Sequence, residues 1–296
     1  MCKILVVSIM TLFILASCSC LPMSIQPDYN KQICPLSKYN IKAAEDLMEG
    51  VQKLLEEAHE QGLDTSKVEQ VLTEAVILLE YAKTISNQGQ NCIAGNILAI
   101  KCQKLLKRAQ EMLELMLDAL RVDEYAVYSA LIKAKYTKGL HFTGNEYVFG
   151  QVQIIVIMDH TSLNESAEDG IGKTLEWVHE NMPAIAQETL DNFHTRNVQE
   201  HPLDDFFDLE IKLVFMSEEE VEEHFQKDGW LEFYEIYPFS QGIMTLSKVG
   251  FNSEMNQALV YVGNQSSWDS GAGYYVLLFK ENNVWIIQDE VVIWIS

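Results

Sequence analysis

Two patterns, one after the other, predict an α+β chain: an N-terminal antiparallel three-helix bundle followed by an α+β domain with a mainly antiparallel sheet. The first is helical spacing over residues 37–138, where apolar residues recur every three or four positions. The second is a set of four runs rich in Val, Ile, Tyr and Trp at 242–250, 257–263, 273–280 and 284–294, divided by turn residues. One pattern gives way to the other near residue 139, and 296 residues suit two domains of ordinary size.

Residues 1–17 stand apart from both. Lys3 is their only charge, and Ile4 to Ala16 is an apolar run too short for a comfortable membrane span but suited to an export signal. The run closes on Leu15-Ala16-Ser17-Cys18. This resembles the lipobox of bacterial lipoproteins, which implies diacylglyceryl transfer to the Cys18 thiol and cleavage before it. The plainer alternative is an ordinary secretion signal, since small residues also favour conventional cleavage. Ser19 is not the aspartate that retains such proteins in the inner membrane, so the resemblance implies an outer-membrane or cell-surface destination. Residues 18–36, with Pro22, Pro27 and Pro35, read as a tether.

The bundle occupies 37–138. Its first helix carries Ile41, Ala44, Met48, Val51, Leu55 and Ala58 on one row, and Gly62 is its stop. Ser66 with Glu69 forms a capping box opening a second helix, whose apolar face is Val68, Leu72, Ala75, Leu79, Ala82 and Ile85. A third, long helix after Asn91 places Leu98, Cys102, Leu105, Ala109, Met112, Met116 and Leu120 on its stripe. None of the three buries its stripe alone, so they are expected to pack together. A coiled-coil surface for a partner is the alternative use of the same stripes.

The second domain occupies 139–296. Gln151 to Met158 reads as a buried strand, 173–195 as a helix interrupted by Pro183, and Leu209 to Phe215 as a strand. Ser217 with Glu220 is a second capping box. The last four runs, joined by short links, predict an antiparallel meander with helices on one face. Gly271-Ala272-Gly273-Tyr274-Tyr275, Leu277-Leu278 and Trp285 resemble the final hairpin of uncharacterised bacterial exported domains, a likeness that implies a fold and a compartment but no activity.

A net charge of −22 repels phosphate backbones and anionic lipid headgroups, so no nucleic-acid partner is expected. With Cys2 in the leader and Cys18 lipidated, Cys20, Cys34, Cys92 and Cys102 remain for an oxidising compartment. Cys92 and Cys102 on one straight helix would stand about 15 Å apart, beyond a bridge. Cys34 is therefore expected to pair with Cys92 or with Cys102.

No complete catalytic motif is present, and no cofactor or metal is indicated. Gly172-Lys173-Thr174 opens a helix, but Ala167 stands where a phosphate loop needs glycine, and Glu165, Glu168 and Asp169 would repel a triphosphate. Asp204, Asp205, Asp208 and Glu210 miss the spacing of a calcium loop. Asp159-His160 follows a strand end, and with Ser270 it is the only sketch of a hydrolase. Aromatic residues offer a ligand or partner surface: Trp230, Tyr234 and Tyr237 before Pro238, then Tyr261, Trp268 and Tyr274 about the last hairpins. Core packing is their ordinary use. The sequence thus points to a lipid-anchored envelope protein with a binding or interaction role, in contact with the membrane and an envelope protein partner. An envelope hydrolase of glycan or peptide and a solute-binding lipoprotein are the alternatives.

Overall fold

The computed structural model describes residues 26–296 apart from 88–90, 143–145, 164–170 and 227–228. Cys18, Cys20 and the leader lie outside the described residues. Three long helices come first: α1 (Gln26–Glu60), α2 (Ser66–Asn87) and α3 (Cys92–Lys135). The stretch expected to be a tether as far as residue 36 is helical from Gln26 onward. Pro27 falls in the first turn, where its missing N–H would have no partner in any case, while Pro35 is carried inside the helix. The chain forms two compact units, the first from Met1–Lys53 and Ser66–Glu111, the second from Leu54–Thr65 and Met112–Ser296. The division therefore falls within α1 and α3 and not at residue 138.

In the helical unit, Ala44, Met48 and Val51 of α1 face inward with Val68, Leu72, Ala75, Leu79 and Ala82 of α2, as the spacing predicted. Along α3 the predicted Cys102, Ala109 and Leu120 are buried, while Ala99, Leu106 and, in the second unit, Leu113 take the places expected for Leu98, Leu105 and Met112. The cause is that α3 carries apolar neighbours at each step, Leu105 and Leu106 or Met112 and Leu113, so two rows compete. The small residues Ala99, Cys102 and Ala109 let the helices approach closely. Cys34 bridges Cys92 at a Cα–Cα separation of 5.0 Å. Cys102 takes no part in a disulfide; it lies ten positions along α3 from Cys92, and its thiol donates to the Ala75 carbonyl at 3.3 Å. Burial pushes that thiol up to about 11, with Lys83 pulling weakly the other way. Cross-helix hydrogen bonds join Ser37 to Ser86 (3.3 Å) and Asn40 to Asn96 (2.7 Å).

The second unit opens with the end of α1, which stops as predicted at Gly62. That residue has φ +68°, with Gly62 N–H donating to His59 O (2.9 Å) and Leu63 N–H to Ala58 O (3.0 Å). A hairpin of β1 (Lys138–Phe142) and β2 (Tyr147–Gln151), which the spacing did not reveal, precedes the main sheet. The sheet runs β4-β3-β5-β7-β8-β9, from β3 (Ile154–Met158), β4 (Lys212–Met216), β5 (Ser240–Leu246), β7 (Gln257–Ser267), β8 (Ser270–Glu281) and β9 (Val284–Ile295). The two-residue β6 (Gly250–Phe251) pairs with β7.

β5, β7, β8 and β9 are antiparallel, as the meander required, while β3 is parallel to both β4 and β5. The parallel pairing follows from the connections: α4 (Ile171–Asn181) and α5 (Gln187–Arg196) carry the chain from β3 to β4, and α6 (Glu218–Gln226) and α7 (Trp230–Ile236) from β4 to β5. Pro183 falls between α4 and α5, where the sequence placed the break. At α6 the capping box is closed in both directions, Glu220 N–H to Ser217 Oγ at 3.2 Å and Ser217 N–H to Glu220 Oε2 at 2.8 Å.

Helices cover both faces of the sheet, not the one expected. Alternation along β7 shows it: Ala258, Val260 and Val262 pack with Tyr128, Leu131 and Ile132 of α3, while Leu259 and Tyr261 pack with Val178, Leu190 and Phe193 of α4 and α5. On that second face, Trp230, Phe233 and Tyr234 of α7 cover Val156 and Ile243.

Candidate functional site

A cleft of about 340 Å³ opens between α6, α7 and the β7–β8 hairpin. The sequence builds it in three pieces. Trp230 begins α7 and is pinned at 7% exposure against Phe233 and Tyr234. Phe225, near the end of α6, meets the Trp230 ring edge-on at 5.0 Å and the Trp268 ring at 5.3 Å. Trp268 sits at the hairpin tip and is 70% exposed. The third piece is Trp294 of β9, whose indole N–H donates to Tyr261 Oη at 2.8 Å. Trp294 packs this closely against β8 only because position 273 is glycine; a Cβ there would come within 2.1 Å of the indole nitrogen. Ile243, Thr245 and Gly263 complete the floor.

The six aromatic residues proposed from sequence are thus divided. Trp230 and Trp268 share the cleft. Tyr234 is buried beneath it and donates to the Ser266 carbonyl at 2.8 Å. Tyr261 belongs to the neighbouring core and reaches the cleft through Trp294. Tyr237 packs on Phe233 and His224. Tyr274 lies on the opposite face of the sheet, under the Lys135 ammonium at 4.3 Å from its ring centroid. Phe225 and Trp294 were missed. Trp294 was legible only as a strand residue, because its role depends on the register that places it over Gly273.

Met158 and Thr245 are shared with a second, polar cleft of about 460 Å³ at the carboxyl ends of β3 and β4. There Asp159 Oδ1 and His160 Nδ1 are 2.7 Å apart, beside Thr161, Ser162, Glu200 and Ser217. In open sheets with parallel strands this is where ligands gather. No nucleophile is paired with the histidine among the described residues: Ser162 Oγ is buried without a hydrogen-bond partner, and Ser217 Oγ is engaged in the α6 cap. Ser270 lies away from this cleft, its hydroxyl 3.1 Å from that of Ser266. No group of three metal-binding side chains occurs among the described residues. Of the acids considered for calcium, Asp208 pairs with Lys133 at 2.7 Å, and the Asp204 N–H donates to Tyr125 Oη at 2.5 Å.

A third hollow, about 390 Å³, is bordered by a buried ionic network that sequence reading did not find. Glu124 of α3 accepts from Arg196 Nη2 (3.1 Å), from Lys248 Nζ (2.5 Å) and from the Val249 N–H (3.0 Å). Arg196 also donates to Gln61 and to the Val249 carbonyl. Burial raises the Glu124 carboxyl, but the two cations and the hydrogen bonds outweigh it and hold it below its ordinary range. Burial lowers Lys248, and Glu124 opposes this only in part. Each charge is satisfied, so the network works as a fastener between α3, α5 and the β5–β6 connection. Compared with family models, with curated proteins and with solved structures, the chain finds no match in any of the three.

Proposed function

We propose that this chain is a lipid-anchored cell-envelope protein with a non-enzymatic binding role, and that the aromatic cleft of Phe225, Trp230, Trp268 and Trp294 is its ligand site. The observation that carries the reading is Trp268, a large aromatic held 70% exposed over a mostly apolar cleft. One exposed aromatic wall, Trp268, over a mostly apolar floor with Thr245, Asn264 and Gln265 as its few polar groups suits an uncharged ligand with one apolar face, such as a saccharide ring. The anchor rests on the Leu15–Cys18 motif. In this reading the three long helices form an antiparallel bundle that serves as a stalk. Its support is the bridge from Cys34, in the third turn of α1, to the start of α3, and the bond from Ser37 one turn later to the end of α2.

Tryptophan emission during titration with envelope glycan fragments tests the cleft. A saturable shift that is lost in Trp268→Ala supports it; an unchanged emission with every fragment sinks it. Because Trp268 is exposed, its replacement is expected to alter stability by less than about 1 kcal/mol. Cys18→Ala tests the anchor by releasing the protein from membranes.

The second reading, a hydrolase, is favoured by the Asp159–His160 pair in the adjoining cleft. Turnover of a glycan or peptide that is abolished by His160→Ala would establish it in place of the first.

A further inference from the structure

The charge of this chain is unevenly divided. The helical unit, Met1–Lys53 with Ser66–Glu111, holds eleven lysines and arginines against eight acids, a balance of +3, or +2 once Lys3 leaves with the leader. The sheet unit holds ten against thirty-five, a balance of −25, and together they give the −22 of the whole. Repulsion from anionic surfaces, inferred from the total, therefore applies to one unit only.

On α3 the residues Ile93, Ile97 and Ile100 follow at spacings of four and three and form one outer row. They are 44%, 48% and 38% exposed. The same row continues through Lys104 to Lys107, with Lys101 and Arg108 beside it, all four exposed and none in an ion pair among the described residues. Next to it on α1, Leu36 and Tyr39 are 48% and 70% exposed. Asn40 joins this turn of α1 to α3 through Asn96 and through the Gln103 side chain, which donates to the Asn40 carbonyl at 2.7 Å. Five large apolar side chains thus share one end of the helical unit, followed by four cations along the same helix. A soluble surface has little reason to expose such a set.

We propose that this face docks on an anionic bilayer surface, with Ile93, Ile97, Ile100, Leu36 and Tyr39 entering the headgroup boundary and Lys101, Lys104, Lys107 and Arg108 meeting lipid phosphates. Apolar residues beside lysines whose long stems reach outward are the pattern of an interfacial helix. The chain length agrees. The stretch from Cys18 to Gln26 spans at most about 28 Å when fully extended, and the ten helical residues from Gln26 to Leu36 add about 15 Å. The Cys34–Cys92 bridge fixes the start of α3 to the same end of the unit. A lipid on Cys18 would hold this face within reach of the membrane. In that respect the proposal rests on the anchor described above.

Lysine acetylation read by mass spectrometry tests it, on the full chain with vesicles of equal parts phosphatidylglycerol and phosphatidylcholine, with vesicles of phosphatidylcholine alone, and without vesicles. The expected result is that modification of Lys104 and Lys107 slows roughly tenfold on the anionic vesicles only. Exposed Lys212 of the sheet unit serves as the control and is expected to be unchanged. High salt and Ile97→Asp should each restore reactivity. Equal reactivity on both vesicle types overturns the proposal. So does slowing without vesicles that grows with protein concentration, which would assign the face to a second copy of the chain. The anchor is scored separately: flotation with phosphatidylcholine vesicles that Cys18→Ala abolishes supports the lipid, whatever the lysines report.

Discussion

Glu124 is 2% exposed and lies between two cations, so its replacement leaves charges buried without compensation. Glu124→Ala is expected to destabilise the sheet unit by about 3–5 kcal/mol in urea titration. The pH dependence has a definite sign. The folded-state carboxyl titrates below its ordinary value of 4.5, so its stabilisation is complete above pH 4.5 and is lost as pH falls through the depressed value. Glu124→Gln, which has no proton to gain there, should flatten the acid limb of the stability curve below pH 4.5. A limb of unchanged slope would assign acid unfolding to other groups. Nothing in the sequence marked Glu124, because its partners stand at positions 196 and 248 and only the fold gathers them. Cys34 was within reach of sequence reasoning because covalent geometry excludes a bridge along one helix, which left two partners and kept Cys92 among them.

The elements were legible in proportion to their periodicity. α2 buries the row its spacing named as far as Ala82, and both Gly62 and the Ser217 box sit where predicted. α3 kept Cys102, Ala109 and Leu120 but moved by one residue at Leu98, Leu105 and Met112, because its apolar content is nearly continuous there. The parallel placing of β3 was not legible, since periodicity reports burial and not the direction of a neighbour. Within the β8–β9 pair, Gly273 is the element-level determinant of the cleft. Gly273→Ala drives a Cβ into the Trp294 ring, so it should break the Trp294–Tyr261 hydrogen bond and cost roughly 1–3 kcal/mol. Loss of the ligand-induced emission change with a retained circular dichroism spectrum is the expected readout. In the helical unit, Cys92→Ser opens a loop with a sequence separation of 58. Chain entropy puts the loss at about 4 kcal/mol, measurable as a lowered urea midpoint.

At the scale of the whole molecule, composition reported acidity but hid its partition. Only the boundaries within α1 and α3 reveal that one unit is slightly basic and the other strongly acidic. A unit at −25 repels itself, so sodium chloride at pH 7 should raise the urea midpoint of the wild-type sheet unit. A midpoint that falls with salt would mean that ion pairs such as Lys280–Asp123 outweigh the general repulsion.

The interior position of β3, one strand in from the β4 edge, has a consequence for the order in which this chain acquires its structure. Ile154-Ile155-Val156-Ile157-Met158 is apolar on both sides and pairs with Lys212–Met216 on one edge and with β5, from Ser240, on the other. Synthesis delivers it well before either neighbour exists. Throughout that interval it is an uncharged, β-branched pentapeptide with both edges open, the kind of segment that seeds intermolecular strands. An arrest of synthesis between residues 160 and 210 is therefore expected to make the nascent protein aggregation-prone.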